Sequence, residues 1–504
     1  MYKKMTLDIN KETGIVRMET FQVPKGTKRL TIMVEKDRED LLGNFIMVID
    51  SKKRLRMQKM LAYGTMTIGI SQDAATTTAG GVPGEICDGE WILYYGCMFM
   101  DIKNYTGRLP VATTIIISDE ETELTEVING GAWMTPDDQF HINDKLYDWN
   151  KRYCDDSRWY KGDFHAHSIM SDGKESIENI IKKAKYMNMD YYVPTEHNLY
   201  HTGWCRCDMP IIPGVEITSY SGHYNIFGVK ERPELLEAML LSDTIEKMNA
   251  INIMIIDDLY KKGNLISINH PFLHIWQWHI DVELEKISSL EIINDPTYEY
   301  SRKANDKAID FLDFLWADGH IIYGIGGSDS HNLIDEIYEG ATTPSIAGDP
   351  GTYVYADGLS ANSILDGVRH GHMNVTRFCE VMPTITGRTR EYLPGDRIDE
   401  DEIEYVLTVS NIKEIPVIYR ISNDIDGRVR KDMITDVRYD DNAKTYTIIE
   451  KITMPQDGWH YVRYEVRTEH DEFRAYINPI FRGDKEVEYK TFNKAKKVWE
   501  ETWQ

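Results

Sequence analysis

The segment YKGDFHAHSIMSDG, residues 160–173, places His165 and His167 one residue apart and Asp172 five positions further on. Side chains at i and i+2 of a strand share a face, so the two imidazoles can address one ion. The same spacing also suits a solvated strand edge, and the pair alone decides nothing. Ligand-type residues recur down the chain, however: His197 in TEHN, Glu216 in GVEIT, His223 in GHYNIFG, His270 in INHP, and Asp329 with His331 in GGSDSH. A single histidine at a strand end commonly serves a turn, Glu216 could pair with an arginine, and SDSH could form an Asx turn. Their recurrence at successive strand ends points instead to a shared centre. Mixed imidazole and carboxylate ligation without thiolate suits divalent Mn, Fe or Zn better than calcium or a closed structural zinc site. Such ions lower the pKa of bound water to about 7, so hydroxide becomes available at neutral pH.

The elements that must position these groups are legible from hydrophobic periodicity. KESIENIIKKAKYMNM (174–189) carries Ile177, Ile181, Ala184 and Met187 on one stripe at helical spacing and runs into DYYVPT, a buried strand. A helical pattern over 234–262 stops at Gly263 before LISINHP, and another over 302–318 stops at Gly319 before HIIYGIGGSDSH. This alternation predicts parallel strands with helical crossovers, in a barrel or an open sheet. Active sites of such folds collect at the C-terminal ends of the strands, which is where the ligand candidates fall. Upstream, RLTIMVE (29–35), FIMVID (45–50), TMTIGI (65–70), WILYYGCMFM (91–100) and TTIIIS (113–118) are short β runs separated by turn clusters. Downstream, IEYVLTVS (403–410), PVIYRIS (416–422), TYTIIEKITM (445–454) and HYVRYEVRT (460–468) restore that rhythm. Each flank predicts a β-sandwich. The expected division is 1–155 for the N-terminal sandwich, 156–376 for the α/β region with the ligands, and 377–504 for the C-terminal sandwich.

Bulk properties narrow the function further. A chain of 504 residues exceeds one hydrophobic core, and its apolar share of 42% suffices for globular folding. The formal charge of −25, from 82 acidic against 57 basic side chains, repels phosphate backbones and anionic membranes, so neither long nucleic acid nor a membrane surface is an expected partner. No apolar run approaches the roughly 18 residues a membrane span needs. The N-terminal lysines have no apolar stretch behind them, so the expected compartment is cytoplasmic. Six cysteines are too sparse for a disulfide framework, and Cys205 with Cys207 forms a lone CxC without the second pair of a zinc ribbon.

Taken in order, HxH with Asp172, TEHN, GVEIT, GHYNIFG, NHP and GGSDSH resemble the polymerase and histidinol phosphatase (PHP) superfamily of metal-dependent phosphoesterases, over residues 158–335. The flanking β regions, with INPIF at 477–481, look like the CehA/McbA-type metallohydrolase branch. The resemblance implies a distorted (β/α)7 TIM-like barrel, the PHP fold, holding two or three divalent transition-metal ions (Mn, Fe or Zn) between the two sandwiches. It implies a first ion on His165, His167 and Asp329, with Glu216 bridging to a second on His223 and His270. A third would take Asp172, His197 and His331. Many members carry Asp before the histidine of the second block, where this chain has Glu196.

The implied reaction is hydrolysis of a small phosphate mono- or diester by a metal-bound bridging hydroxide, with Glu216, His270, Asp329 and His331 at the reacting centre. Arg377 in NVTRF, Asn198 and Arg206 are the expected phosphate contacts. Members of the branch also hydrolyse carbamate, ester or amide bonds, which makes a small non-phosphate ester the alternative substrate. A non-enzymatic metal- or carbohydrate-binding scaffold is the third reading. Retention of every ligand type counts against it, because buried charged groups are costly without metal. Exonuclease activity occurs in the superfamily, but the acidic surface opposes it here.

Overall fold

The computed structural model describes residues 2–9, 16–36, 44–61, 65–97, 111–424 and 426–502; residues 98–100, the end of the 91–100 β run, lie outside them. In the first region alternation produces two four-stranded antiparallel sheets. One runs in the order Tyr2–Ile9, Val111–Ser118, Arg29–Lys36, Met66–Ser71, and the other Val16–Val23, Gly89–Cys97, Asn44–Ile49, Leu55–Met60. Leu30, Ile32 and Val34 point to one side at period two and share a fully buried core with Trp91, Leu93 and Tyr95 of the facing sheet. This unit is tied to the ligand-bearing loops. Lys59 Nζ donates to the Ile169 carbonyl at 2.6 Å, Gln58 Nε2 to the Tyr200 carbonyl at 3.0 Å, and the Met60 amide to the Met170 carbonyl at 3.2 Å.

The expected distorted (β/α)7 TIM-like barrel is not what the chain forms. The described residues contain five sheets, mostly antiparallel, and six α-helices in all, too few to follow every strand of such a barrel. In the central region Gly214–Ser219 and Gly222–Phe227 are joined by two residues and pair antiparallel, as so short a connection requires. They continue through Leu265–Ile268, Ser289–Asn294 and Tyr323–Gly327 as one five-stranded sheet, in which only the last two pairings are parallel. Between Leu265–Ile268 and Ser289–Asn294 the chain makes 3₁₀ turns in place of a crossover helix. Cys154–Asp163 belongs to a different sheet, where Tyr191–Tyr192 pairs with it in parallel and Gly351–Leu359 antiparallel.

The C-terminal strands share a sheet with the central region. That second sheet continues from Gly351–Leu359 through Met373–Thr376 to Phe473–Ile477, His460–Arg467 and Val417–Asn423, so central and C-terminal strands share one hydrogen-bonded layer of nine strands. A five-stranded sheet built around Glu380–Thr386, Glu402–Ser410 and Thr445–Thr453 covers its C-terminal part, with Leu407, Ile448, Val466 and Ile477 in the common core.

Helices form at the three expected spans, but the 234–262 pattern is broken into Leu236–Leu240 and Ile245–Lys261, and helices Ala361–Arg369 and Phe492–Thr502 fall outside the expected spans. Helix Ile177–Tyr186 starts at Ser176, whose Oγ accepts from the Asn179 amide at 3.3 Å, and it buries Ile177, Ile180, Ile181 and Ala184. Helix Ile245–Lys261 starts at Thr244, and helix Ser301–Asp318 ends on Gly319, whose φ of 100° closes the last turn. Among the described residues no helix is long and apolar enough to cross a membrane.

Candidate metal centre

Two sheets meet where the ligand candidates lie, joined by isolated parallel bridges between Ala166 and Ser330 and between His197 and Glu216. His165 and His167 follow strand Cys154–Asp163. Glu216 and His223 sit on the antiparallel pair, while His270 and Asp329 follow Leu265–Ile268 and Tyr323–Gly327. Asp163, fully buried, locks two of these loops together: its Oδ1 accepts from the amides of His165 at 3.0 Å and Ser328 at 3.1 Å, and its Oδ2 from Gly348 at 2.8 Å. His270 (φ 26°) and Asp329 (φ 48°) adopt left-handed backbone that non-glycine residues rarely hold. Such strain persists where surrounding structure imposes it, commonly at functional sites.

All nine candidates converge. His165 Nε2 lies 3.2 Å from Glu216 Oε1 and 3.3 Å from Asp329 Oδ1, and His167 Nε2 lies 3.0 Å from the same Asp329 oxygen. Glu216 Oε1 is 3.1 Å from His223 Nδ1 and 3.6 Å from His270 Nε2. Asp172 places Oδ2 3.4 Å from His197 Nε2 and Oδ1 3.3 Å from His331 Nε2. The His167 ring lies against both those of His197 and His331, at centroid separations of 4.3 and 4.1 Å.

Four sets of donor atoms, each mutually within 4.8 Å, result: His165, His167 and Asp329; His165, Glu216 and His270; His197, Glu216 and His223; and His167, Asp172, His197 and His331. In the implied assignment His223 and His270 served one ion. Here they fall in separate sets, and His167 joins the set built on Asp172.

These residues fit a divalent cation. Ligands about 2.1 Å from a tetrahedral ion lie about 3.4 Å from one another, within the 3.0–3.6 Å span of the contacts above. Nε2 of His165 and Oε2 of Glu216 are buried without a well-aligned hydrogen bond, facing Glu216 Oε1 at 3.2 Å and His197 Nδ1 at 2.7 Å, and a shared cation would satisfy both. Protonation equilibria divide the donors: burial opposes charge on His165, His197 and His331, but the facing carboxylates outweigh it and raise all three, His331 to about 9, so a cation would displace their protons. Burial, reinforced by the His331 and His197 rings, pushes His167 down to about 4; burial does the same to His223, partly offset by Glu216. Burial opposes ionisation of Glu216 and Asp329, yet the facing histidines, His165 foremost, hold both carboxyls well below the usual range. Neutral imidazoles and charged carboxylates are the forms that bind metal.

A second layer orients this cluster, and the sequence reading missed most of it. Glu291 accepts from His165 Nδ1 at 2.9 Å, from the His270 amide at 2.9 Å and from Asn294 Nδ2 at 3.0 Å. Asn269 Nδ2 donates to Glu216 Oε1 at 2.9 Å, and Thr218 Oγ1 lies 2.7 Å from His197 Nδ1. A signal existed for Glu291: a carboxylate within SLEIIN, a strand buried along its whole length, has to be paid for by partners. Glu196 leaves its neighbour His197 to the cluster and gathers the Ser168 and Ser171 amides with His201. Burial opposes its ionisation, but the His201 and Ser168 hydrogen bonds bring its carboxyl down to about 2.

A cavity of about 380 Å³ opens over the cluster, lined by Asp172, His197, His223, His270, Asp329 and His331 and, further out, by aromatic and aliphatic side chains. The three expected phosphate contacts are not among its lining residues. Arg377 is held by Asp349, with Nε 2.9 Å from Oδ1 and Nη2 3.2 Å from Oδ2. Asn198 is buried and spans the Thr218 backbone through two hydrogen bonds of 3.0 Å. Arg206 lines a separate cavity with Trp204 and Cys207. A larger cavity of about 960 Å³, near Trp149 and Arg369, holds none of the ligand residues. No protein-family model matches the chain, and no curated protein matches it significantly.

Proposed function

We propose that the protein is a metal-dependent hydrolase of PHP type, which cleaves a small phosphate ester at the cluster under the cavity. The observation that carries this reading is the convergence of nine imidazole and carboxylate ligands from separated strand ends, at ligand-to-ligand spacings suited to divalent ions. Divalent Mn, Fe or Zn, when bound, would supply an activated water and neutralise charge on the oxygens of the scissile group. His165, His167, Asp329, Glu216, His223, His270, Asp172, His197 and His331 would hold two or three such ions. Glu216, with one oxygen facing His165 and His223 and the other 3.6 Å from His167, is placed to serve more than one of them. Glu291 and Asn269 fix the orientation of His165 and Glu216, and such outer partners govern ligand basicity. The cavity volume suits a small molecule and not a polymer.

A carbonyl substrate, in the form of a carbamate or carboxyl ester, is the second reading. It is favoured by the absence of Lys and Arg among the described residues lining the cavity. We also place the protein in the cytosol, since Cys87, Cys154, Cys205, Cys207 and Cys379 are free thiols.

The test is a panel of phosphomonoesters, phosphodiesters, carbamates and aryl esters with added manganese, run on the wild type and Glu216→Gln. Phosphate release that falls on the order of 10³-fold in the variant supports the first reading. Cleavage of carbamates or aryl esters without phosphate release replaces it with the second.

A further inference from the structure

The outer wall of the cavity differs in chemistry from its floor. Above the ligand cluster stand Tyr220, Trp276, Tyr298 and Tyr338, and among them one further carboxylate, Asp295, which the cluster does not use. The rings enclose a corner: the Tyr298 centroid lies 6.4 Å from Trp276 and 5.7 Å from Tyr338, with interplanar angles of 57° and 60°. Asp295 is only 7% exposed, accepts from Thr297 Oγ1 at 2.9 Å, and holds a φ of 29°. That backbone conformation is unfavourable for an aspartate, and it directs the residue to the wall immediately after Asn294, which bonds the cluster's Asp329 at 3.3 Å. Among the described residues lining the cavity none is Lys or Arg, so Asp295 faces no permanent cation there, and its charged neighbours are Asp329 and the His331 ring.

Aromatic faces present negative quadrupole to a bound group, and several rings around one carboxylate form the arrangement that recognises ammonium ions. We propose that this wall binds an ammonium group on the organic part of the substrate, so that the ester cleaved is one of an amino alcohol or a quaternary ammonium alcohol. The inference rests on the hydrolase reading for the position of the scissile group, which the floor of the cavity would take. The two chemistries are complementary: the anionic end faces the cation-binding cluster, and the cationic end faces Asp295 and the rings. Hydrolysis needs no further reactant. The water oxygen joins phosphorus, the bond from phosphorus to the alcohol oxygen breaks, and the alcohol departs with a proton from the water.

Choline and 3,3-dimethylbutan-1-ol have nearly the same shape and differ in the positive charge, which makes them suitable probes. Their binding to manganese-loaded protein is measured by calorimetry, beside phosphate release from their two phosphate monoesters. The expected result is choline binding at least about tenfold tighter than its neutral isostere, with that ratio collapsing toward one in Asp295→Asn and shrinking in Trp276→Leu. Equal binding of the two alcohols, tighter binding of the neutral one, or binding of neither would overturn the proposal. The hydrolase reading fails separately, if choline binds selectively and neither monoester releases phosphate.

Discussion

Two of the charge clusters among the described residues are built on opposite principles. Between helix Ser301–Asp318 and strand His460–Arg467, Asp306, Asp313 and Glu465 face Lys431, Arg463 and Arg467. Arg463 grips Asp313 through two hydrogen bonds of 2.6 Å, reaches Glu465 at 2.9 Å, and stacks over the Tyr476 ring at 4.4 Å. Every carboxylate there meets a permanent cation. In the candidate metal centre the charge-bearing partners of Asp172, Glu216 and Asp329 are imidazoles, whose charge depends on protonation. Burial opposes charge on His165, His197 and His331, but these carboxylates outweigh it and raise all three, His331 to about 9, so the compensating charge is carried by protons that divalent ions would displace. The first cluster is complete as the chain folds, and under the proposed function the second would be a receptor for cations.

The largest expected difference between the two lies in the removal of one carboxylate. Asp313→Ala leaves Arg463 buried beside a single remaining partner and should cost about 3–5 kcal/mol of unfolding free energy, measured by denaturant titration. Glu216→Gln, in chelator-treated protein, should cost less in the same experiment, because the facing imidazoles can release their protons once the carboxylate charge is removed. A similar loss in both variants would erase the distinction.

Metal should separate them next. Manganese at about 100 times its dissociation constant should raise the stability of the wild type by about 2.7 kcal/mol, read as an increase in Tm that a chelator reverses. Asp313→Ala should keep that increment, and Glu216→Gln should lose most of it. A smaller effect falls on the layer behind the ligands. Glu291→Gln weakens the acceptor of the His165 Nδ1 hydrogen bond and should lower metal affinity about 10- to 100-fold without unfolding the protein.

The smallest difference is in pH. Burial opposes ionisation of Glu465, but Arg463 and Arg467 outweigh it and hold its carboxyl far below the usual range. A depressed folded-state pKa contributes stability that is fully present above the unfolded value of about 4.3 and is lost as pH falls below it. The Tm gap between metal-free wild type and Glu465→Gln should therefore be constant above about pH 5 and narrow on acidification. A gap independent of pH would contradict the paired description of this cluster.

Much of the centre was legible because each ligand lies in a short motif at a strand end, where local residue types carry the information. His165, His167 and the Asp329–His331 pair needed no knowledge of what lay across the sheet. Two helices were also readable, since Ile177–Tyr186 and Ser301–Asp318 announce themselves by stripe and cap. The barrel was misread for a different reason. Periodicity identifies an element but not its hydrogen-bonding neighbour, and strand Cys154–Asp163 finds Gly351–Leu359, about 200 residues on, as its antiparallel partner. The same limit hid the shared nine-stranded sheet and misplaced Arg377, whose partner Asp349 lies 28 positions away with no local pattern to join them.

The measurement that bears most directly on the account is the metal content of purified protein, equilibrated with manganese and freed of loose ions, for the wild type and for Glu216→Ala. The account predicts about two to three tightly held equivalents in the wild type and the loss of at least one in the variant. Less than one equivalent in the wild type, or the same content in both proteins, would contradict it.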